Sequence, residues 1–166
     1  MFNHNLNIYQ QLSLVALRLF LGFIFLWSFF DKTFGLGFST PKAKAWIYGG
    51  SPTRGYLSNL QGALAGLFNS ISESSLVSWL FMLGLLGVGL ALILGIGMKI
   101  ATVSGSLMMF FIYLSQLPLK TNPFVDQHLI YILVLWLLLF FQAGNYFGLG
   151  NWWQKLKIVR QYSWLE

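Results

Sequence analysis

The chain has 166 residues, of which 57% are hydrophobic and 8% charged. A water-soluble domain carries about 25% charged residues, so this composition excludes an ordinary soluble globule. The net charge of +6 does not indicate nucleic acid, because the cations are scattered through short connections and tails and form no basic face. Cysteine is absent, which excludes disulfides, thiol catalysis, iron–sulfur ligation and c-type haem attachment.

The first apolar run covers residues 12–30, near the roughly 20 residues that cross about 30 Å of hydrocarbon, and only Arg18 interrupts it. No Lys or Arg precedes this run, and Asp31-Lys32 follow it where a signal peptide has a small-residue cleavage site. It therefore reads as a retained span. The next connection, of about 45 residues, is too long to be a bare loop. Pro41 and Gly49-Gly50-Ser51-Pro52 punctuate its first half. Leu57, Leu60, Leu64, Leu67 and Ile71 then recur at helical spacing and predict one amphipathic helix over 56–71, at the interface or in the mouth of the bundle. Trp46, Tyr48 and Tyr56 suit the headgroup level.

A second span is expected over 76–97 and a third over 100–117, joined by a tight turn at Met98-Lys99 into an antiparallel hairpin. Gly87, Ala91 and Gly95 make a small-residue ridge for close helix approach, and Ala101 and Gly105 supply a matching face. Pro118 ends the third span, and a short polar connection containing Asn122-Pro123 leads to a fourth over 127–147. Gly148-Leu149-Gly150 then opens a basic tail, 151–166, with Trp152-Trp153 as an interfacial anchor. The predicted fold is all-α: a single-domain, integral membrane four-helix bundle set in the lipid bilayer, with an additional amphipathic interfacial helix in its first connection. An even number of spans puts both termini on one side. The density of Lys99, Lys155, Lys157 and Arg160 there, against the more dispersed Lys32, Lys42, Lys44, Arg54 and Lys120, points to the cytoplasmic face of the cell membrane.

Few polar residues remain to carry chemistry. Arg18 lies about 9 Å into the first span at 1.5 Å per residue, at a depth where a guanidinium must be paired or must snorkel to the surface. Gln142 and Asn145 should lie at similar depth and are its candidate partners. A structural clamp or a snorkelling side chain is the plainer reading, a substrate role the sharper one. At the other face Asp31 and Lys32 end the first span, Gln116 ends the third, and Asp126, His128 and Tyr131 open the fourth. An Asp and a His there can pass protons to a quinone or bind an anion; alternatively Asp126 only caps the helix and His128 sits at the headgroups. Bis-histidine haem ligation within the chain is not expected, since His4 and His128 are the two histidines and fall on opposite faces. The sequence holds no metal-ligand cluster and no nucleotide-binding glycine loop.

Several segments together are similar to the DoxX family of four-helix membrane proteins. They are Ala16-Leu17-Arg18-Leu19 through Gly22 and Phe25 to Lys32, Gly49-Gly50-Ser51-Pro52-Thr53-Arg54-Gly55, the glycine-rich second span, Asn122-Pro123-Phe124-Val125-Asp126-Gln127-His128, and Gly148-Leu149-Gly150-Asn151-Trp152-Trp153. The chain most resembles the DoxD-like branch, the membrane subunit of thiosulfate:quinone oxidoreductase. The resemblance implies electron transfer from thiosulfate, oxidised to tetrathionate, into the quinone pool, with a second redox polypeptide as partner. The sequence is compatible with this: Asp126 and His128 are the candidate catalytic groups, Lys32, Arg54 and Lys120 are cations that a doubly charged anion would favour, and Gln116 and Tyr131 are candidate quinone-site residues beside them. Two other readings stand beside this one. They are a non-catalytic scaffold for a redox enzyme, with or without homo-oligomerisation, and a protein binding a lipid or small molecule under the interfacial helix.

Overall fold

The structure, a computed structural model, describes residues 6–119 and 122–165; the expectations that fall on His4 and Lys120 lie outside them. Helix α1 runs Ile8–Phe34, both earlier and later than the apolar run suggests. Its start is set by a capping box, in which Asn7 accepts from the Gln10 amide and the Gln10 side chain accepts from the Asn7 amide. Its end is set by Gly35, in the left-handed conformation at φ 66°. Asp31, 1% exposed, accepts from the Phe38 and Ser39 amides and the Ser39 hydroxyl, and so folds the chain back immediately beyond the helix.

The predicted helix over 56–71 is not formed as one element. Helix α2 (Arg54–Leu57) and helix α3 (Ala65–Ser70) are separate short turns. Asn59 Nδ2 takes the Gly55 carbonyl in place of the Asn59 backbone N–H, which turns to the Tyr56 carbonyl and ends α2. Gly62, at φ 147°, lies so close to the Leu117 carbonyl that a Cβ has no room there. The connection is clipped onto the helices by hydroxyls. Ser78 bonds Ser51 at 3.2 Å and Thr53 at 2.7 Å, and Tyr56 bonds Ser115 at 2.7 Å.

Helices α4 (Ser75–Leu94) and α5 (Met98–Ser115) form the expected hairpin, turned by Gly95 and Gly97 at φ 74° and 57°. Helix α6 spans only Gln127–Phe140. Helix α1 packs on α4, α4 on α5, α5 on α6, and α6 closes on α1, around a shared core that includes Phe25, Met82, Leu92, Met109, Leu135 and Leu138. Thr102, missed in the sequence, donates to the Leu135 carbonyl at 3.3 Å and ties α5 to α6. Of the glycines in the predicted ridge and its matching face, Gly95 and Gly105 make close approaches and Gly87 does not. A Cβ on Gly87 meets open space, whereas one on Gly89 runs into Leu26 and one on Gly105 meets Leu135 and Val88. Among the described residues there is no strand, and α1, α4 and α5 are long and apolar enough to cross a membrane, which points to a membrane protein.

The tail is more than an anchor. Helices α7 (Gly150–Trp153) and α8 (Lys157–Gln161) fold it back on the start of α5, where Lys99 donates to the Ser163 carbonyl and Trp153 Nε1 to that of Leu165. The tail and the start of α1 therefore lie at one end of the helices, and the start of α6 lies at the other.

Candidate functional site

The end of the helices remote from the tail brings three of the anticipated residues together. Asp126 is the N-cap of α6 and accepts from the His128 and Leu129 amides through one carboxylate oxygen. Its second oxygen lies 2.5 Å from His128 Nδ1, with the two side chains 12% and 10% exposed. The capping and acid–base readings of Asp126 are thus compatible, since the two oxygens divide the tasks. With a carboxylate at Nδ1, a neutral imidazole carries its proton there and presents Nε2 as the base. Tyr131, one turn on, sets its ring edge-on to the imidazole at 6.4 Å between centroids. The preceding loop is shaped by Asn122, whose side chain accepts from the Phe124 and Val125 amides, and by Tyr113, which donates to the Phe124 carbonyl.

Other residues anticipated around this pair are not in hydrogen-bonding or ionic contact with it among the described residues. Lys32 lies over the Phe81 ring, 6.0 Å from its centroid, at the outer limit of a cation–π contact. Arg54 pairs with Glu73 at 2.6 Å, both well exposed, an arrangement worth about 0–1 kcal/mol. Gln116 caps the end of α5 without a side-chain bond to either member.

The opposite end holds a second polar centre. Arg18 is 0% exposed, so it does not snorkel. Its partners are also not the side chains of Gln142 and Asn145. Nη1 donates to the Gly144 carbonyl at 3.4 Å and Nη2 to that of Phe147 at 3.3 Å. The reason lies in the backbone. After Phe140 the chain leaves the α-helix through Gln142, at φ 50°, and a 3-10 turn over Ala143–Asn145. Carbonyls released from a helix in an apolar setting need donors, and a buried guanidinium needs acceptors; each supplies the other. Glycines make the space, since a Cβ on Gly95 or Gly148 would overlap Nη1. Gln142 and Asn145 instead form a chain of amides with Gln154, each link 3.4 Å. Among the described residues Arg18 has no acidic partner, and its Nε has no hydrogen-bond acceptor. The signal for this cradle was present in Gly144 and Gly148, which side-chain pairing arguments overlook.

Among the described residues no cluster of three or more His, Asp or Glu side chains is placed to hold a metal ion. Comparison with known proteins returns no matching family model, no matching curated protein and no matching solved structure.

Proposed function

We propose that the chain is a multi-pass cell-membrane protein of four spans, α1, α4, α5 and the segment built on α6, and that Asp126 and His128 form the proton-handling site of a quinone-linked oxidoreductase subunit. The observation that supports this most is the 2.5 Å contact between Asp126 Oδ2 and His128 Nδ1 in a largely shielded setting. Reduction of a quinone to a quinol takes two electrons and two protons. An imidazole held at Nδ1 by a carboxylate can take up a proton at Nε2 from the nearby surface and pass it to a quinone oxygen, once for each of the two protons. The ring of Tyr131, packed against the core and edge-on to the imidazole, offers the quinone headgroup an aromatic wall.

In the thiosulfate reading that the family resemblance suggests, two thiosulfate ions join as tetrathionate and release the two electrons. A second redox polypeptide is the partner that passes them on. We place both termini in the cytoplasm, from the density of Lys99, Lys155, Lys157 and Arg160 at that end. The segment built on α6 is short for a span, at about 21 Å for 14 helical residues. The Arg18 cradle supports the fourth-span reading by satisfying the irregular backbone that completes it.

The test is turnover. Membranes containing the protein, given thiosulfate and a water-soluble quinone analogue, should reduce the quinone. His128→Ala and Asp126→Asn should each lower the rate about a hundredfold, the usual weight of a positioned acid–base group. Full activity in both variants removes the site. No turnover in the unaltered protein, with co-purification of a soluble redox enzyme, supports the scaffold in its place.

A further inference from the structure

At the tail end of the helices a cavity of about 330 Å³ opens between the α4–α5 turn, the end of α6 and α7. We propose that this cavity binds a phosphate group, carried by an anionic phospholipid or free in solution. The volume lies in the lower part of the range of about 300–1,000 Å³ used for small ligands.

Three independent features converge on a tetrahedral anion. The polar lining consists of Lys99, Gln142, Asn145 and Gln154, and the described residues lining the cavity include no acid. The start of α5, an 18-residue helix, contributes Gly97, Met98 and Lys99 to the wall, and its N-cap Gly97 offers no side-chain oxygen to the first backbone N–H groups, which carry the positive end of the helix dipole. Behind the wall formed by Gly95 and Gly144 sits Arg18, wholly buried, with no acidic partner among the described residues and its Nε unsatisfied. Its carbonyl bonds, at 3.3 and 3.4 Å, are long for a charged donor. Arg18 does not itself line the cavity, but its Nη1 abuts Gly95 and donates to the Gly144 carbonyl, and both glycines line it, so its charge acts on the cavity at short range. An anion in the cavity supplies the missing negative charge.

The inference is independent of the quinone site at the other end. Purified full-length protein in neutral detergent should be titrated, by native mass spectrometry, with dioctanoyl phosphatidylglycerol, with dioctanoylglycerol, which lacks the phosphate, and with inorganic phosphate. One saturable phosphatidylglycerol, absent with dioctanoylglycerol and undisplaced by phosphate, identifies a lipid headgroup. Saturable binding of inorganic phosphate that excludes the lipid identifies the free anion. Lys99→Gln and Gln142→Leu should each weaken binding about tenfold, the usual scale for one charge-assisted contact, and Lys99→Arg should retain it, with quinone turnover unchanged in all three. Should Lys99→Gln loosen the tail that Lys99 also holds, the Gln142→Leu and Lys99→Arg pair decides alone. Equal binding of dioctanoylglycerol and phosphatidylglycerol, or affinity indifferent to the variants, overturns the proposal.

Discussion

Gly148→Ala is the sharpest perturbation of the Arg18 cradle. The backbone at Gly148 needs no positive φ, so alanine is conformationally permitted and the effect is steric alone. Its methyl would overlap Arg18 Nη1 and the Gly144 carbonyl oxygen, with Cζ at 3.1 Å. The backbone oxygen cannot move aside, so the guanidinium must withdraw from both carbonyls. Hydrogen bonds to charged groups contribute about 1.5–3 kcal/mol each. These two are long, so the lower figure applies, and their joint loss comes to about 3 kcal/mol. The assay is unfolding in mixed micelles of rising SDS fraction, followed by circular dichroism. Gly87→Ala is the control, because its methyl meets open space in the middle of α4; it should raise stability by about 0.5–1 kcal/mol through helix propensity. If the two variants unfold at the same SDS fraction, the cradle does not hold the end of α6 as argued.

Other outcomes follow from the same contacts. Gly89→Ala, driven against Leu26 at the α1–α4 contact, should destabilise by about 1–3 kcal/mol in the same titration. Asp126→Asn should preserve stability to within about 0.5 kcal/mol, because asparagine caps as well as aspartate, while Asp126→Ala should cost about 1 kcal/mol; only activity falls in both. Ser78→Val removes the hydroxyl that holds Ser51 and Thr53. Trypsin cleavage after Arg54 should then accelerate about thirtyfold, as two neutral hydrogen bonds of about 1 kcal/mol each cease to oppose local opening. Arg54→Ala, by contrast, breaks an exposed pair with Glu73 and should change stability by less than about 0.5 kcal/mol.

Apolar length and glycine punctuation made the long helices legible, because both are local properties of the chain. The placing of Asp126 and His128 together at the start of α6 was legible for the same reason, whereas the contact between their side chains was seen only in the structure. What escaped the sequence depends on contacts between distant segments. The stripe from Leu57 to Ile71 has helical spacing, yet the Asn59 side chain takes the Gly55 carbonyl in place of its own backbone N–H, and Gly62 must pass Leu117. Periodicity records which face is apolar and is silent on whether the backbone can continue. Of the glycines in the ridge Gly87-Ala91-Gly95, only Gly95 is closely packed, against Arg18 and Gly144, while Gly89 outside it meets α1, because a small residue permits close approach without specifying which segment approaches. Arg18 itself was sought among amide side chains, when its acceptors are carbonyls released where α6 stops. Gly144 and Gly148 were the signal that the backbone, not a side chain, approaches Arg18 there.

Because the chain has no cysteine, single engineered thiols can test the arrangement on which both proposed sites rest. Phe124→Cys lies in the exposed loop before Asp126, and Ile158→Cys in the exposed face of the tail. In intact cells a membrane-impermeant maleimide should label the thiol at 124 and leave the one at 158 untouched until the membrane is opened. Labelling of both from the same side of an intact membrane would contradict the threading of the four helices and separate neither site from the other.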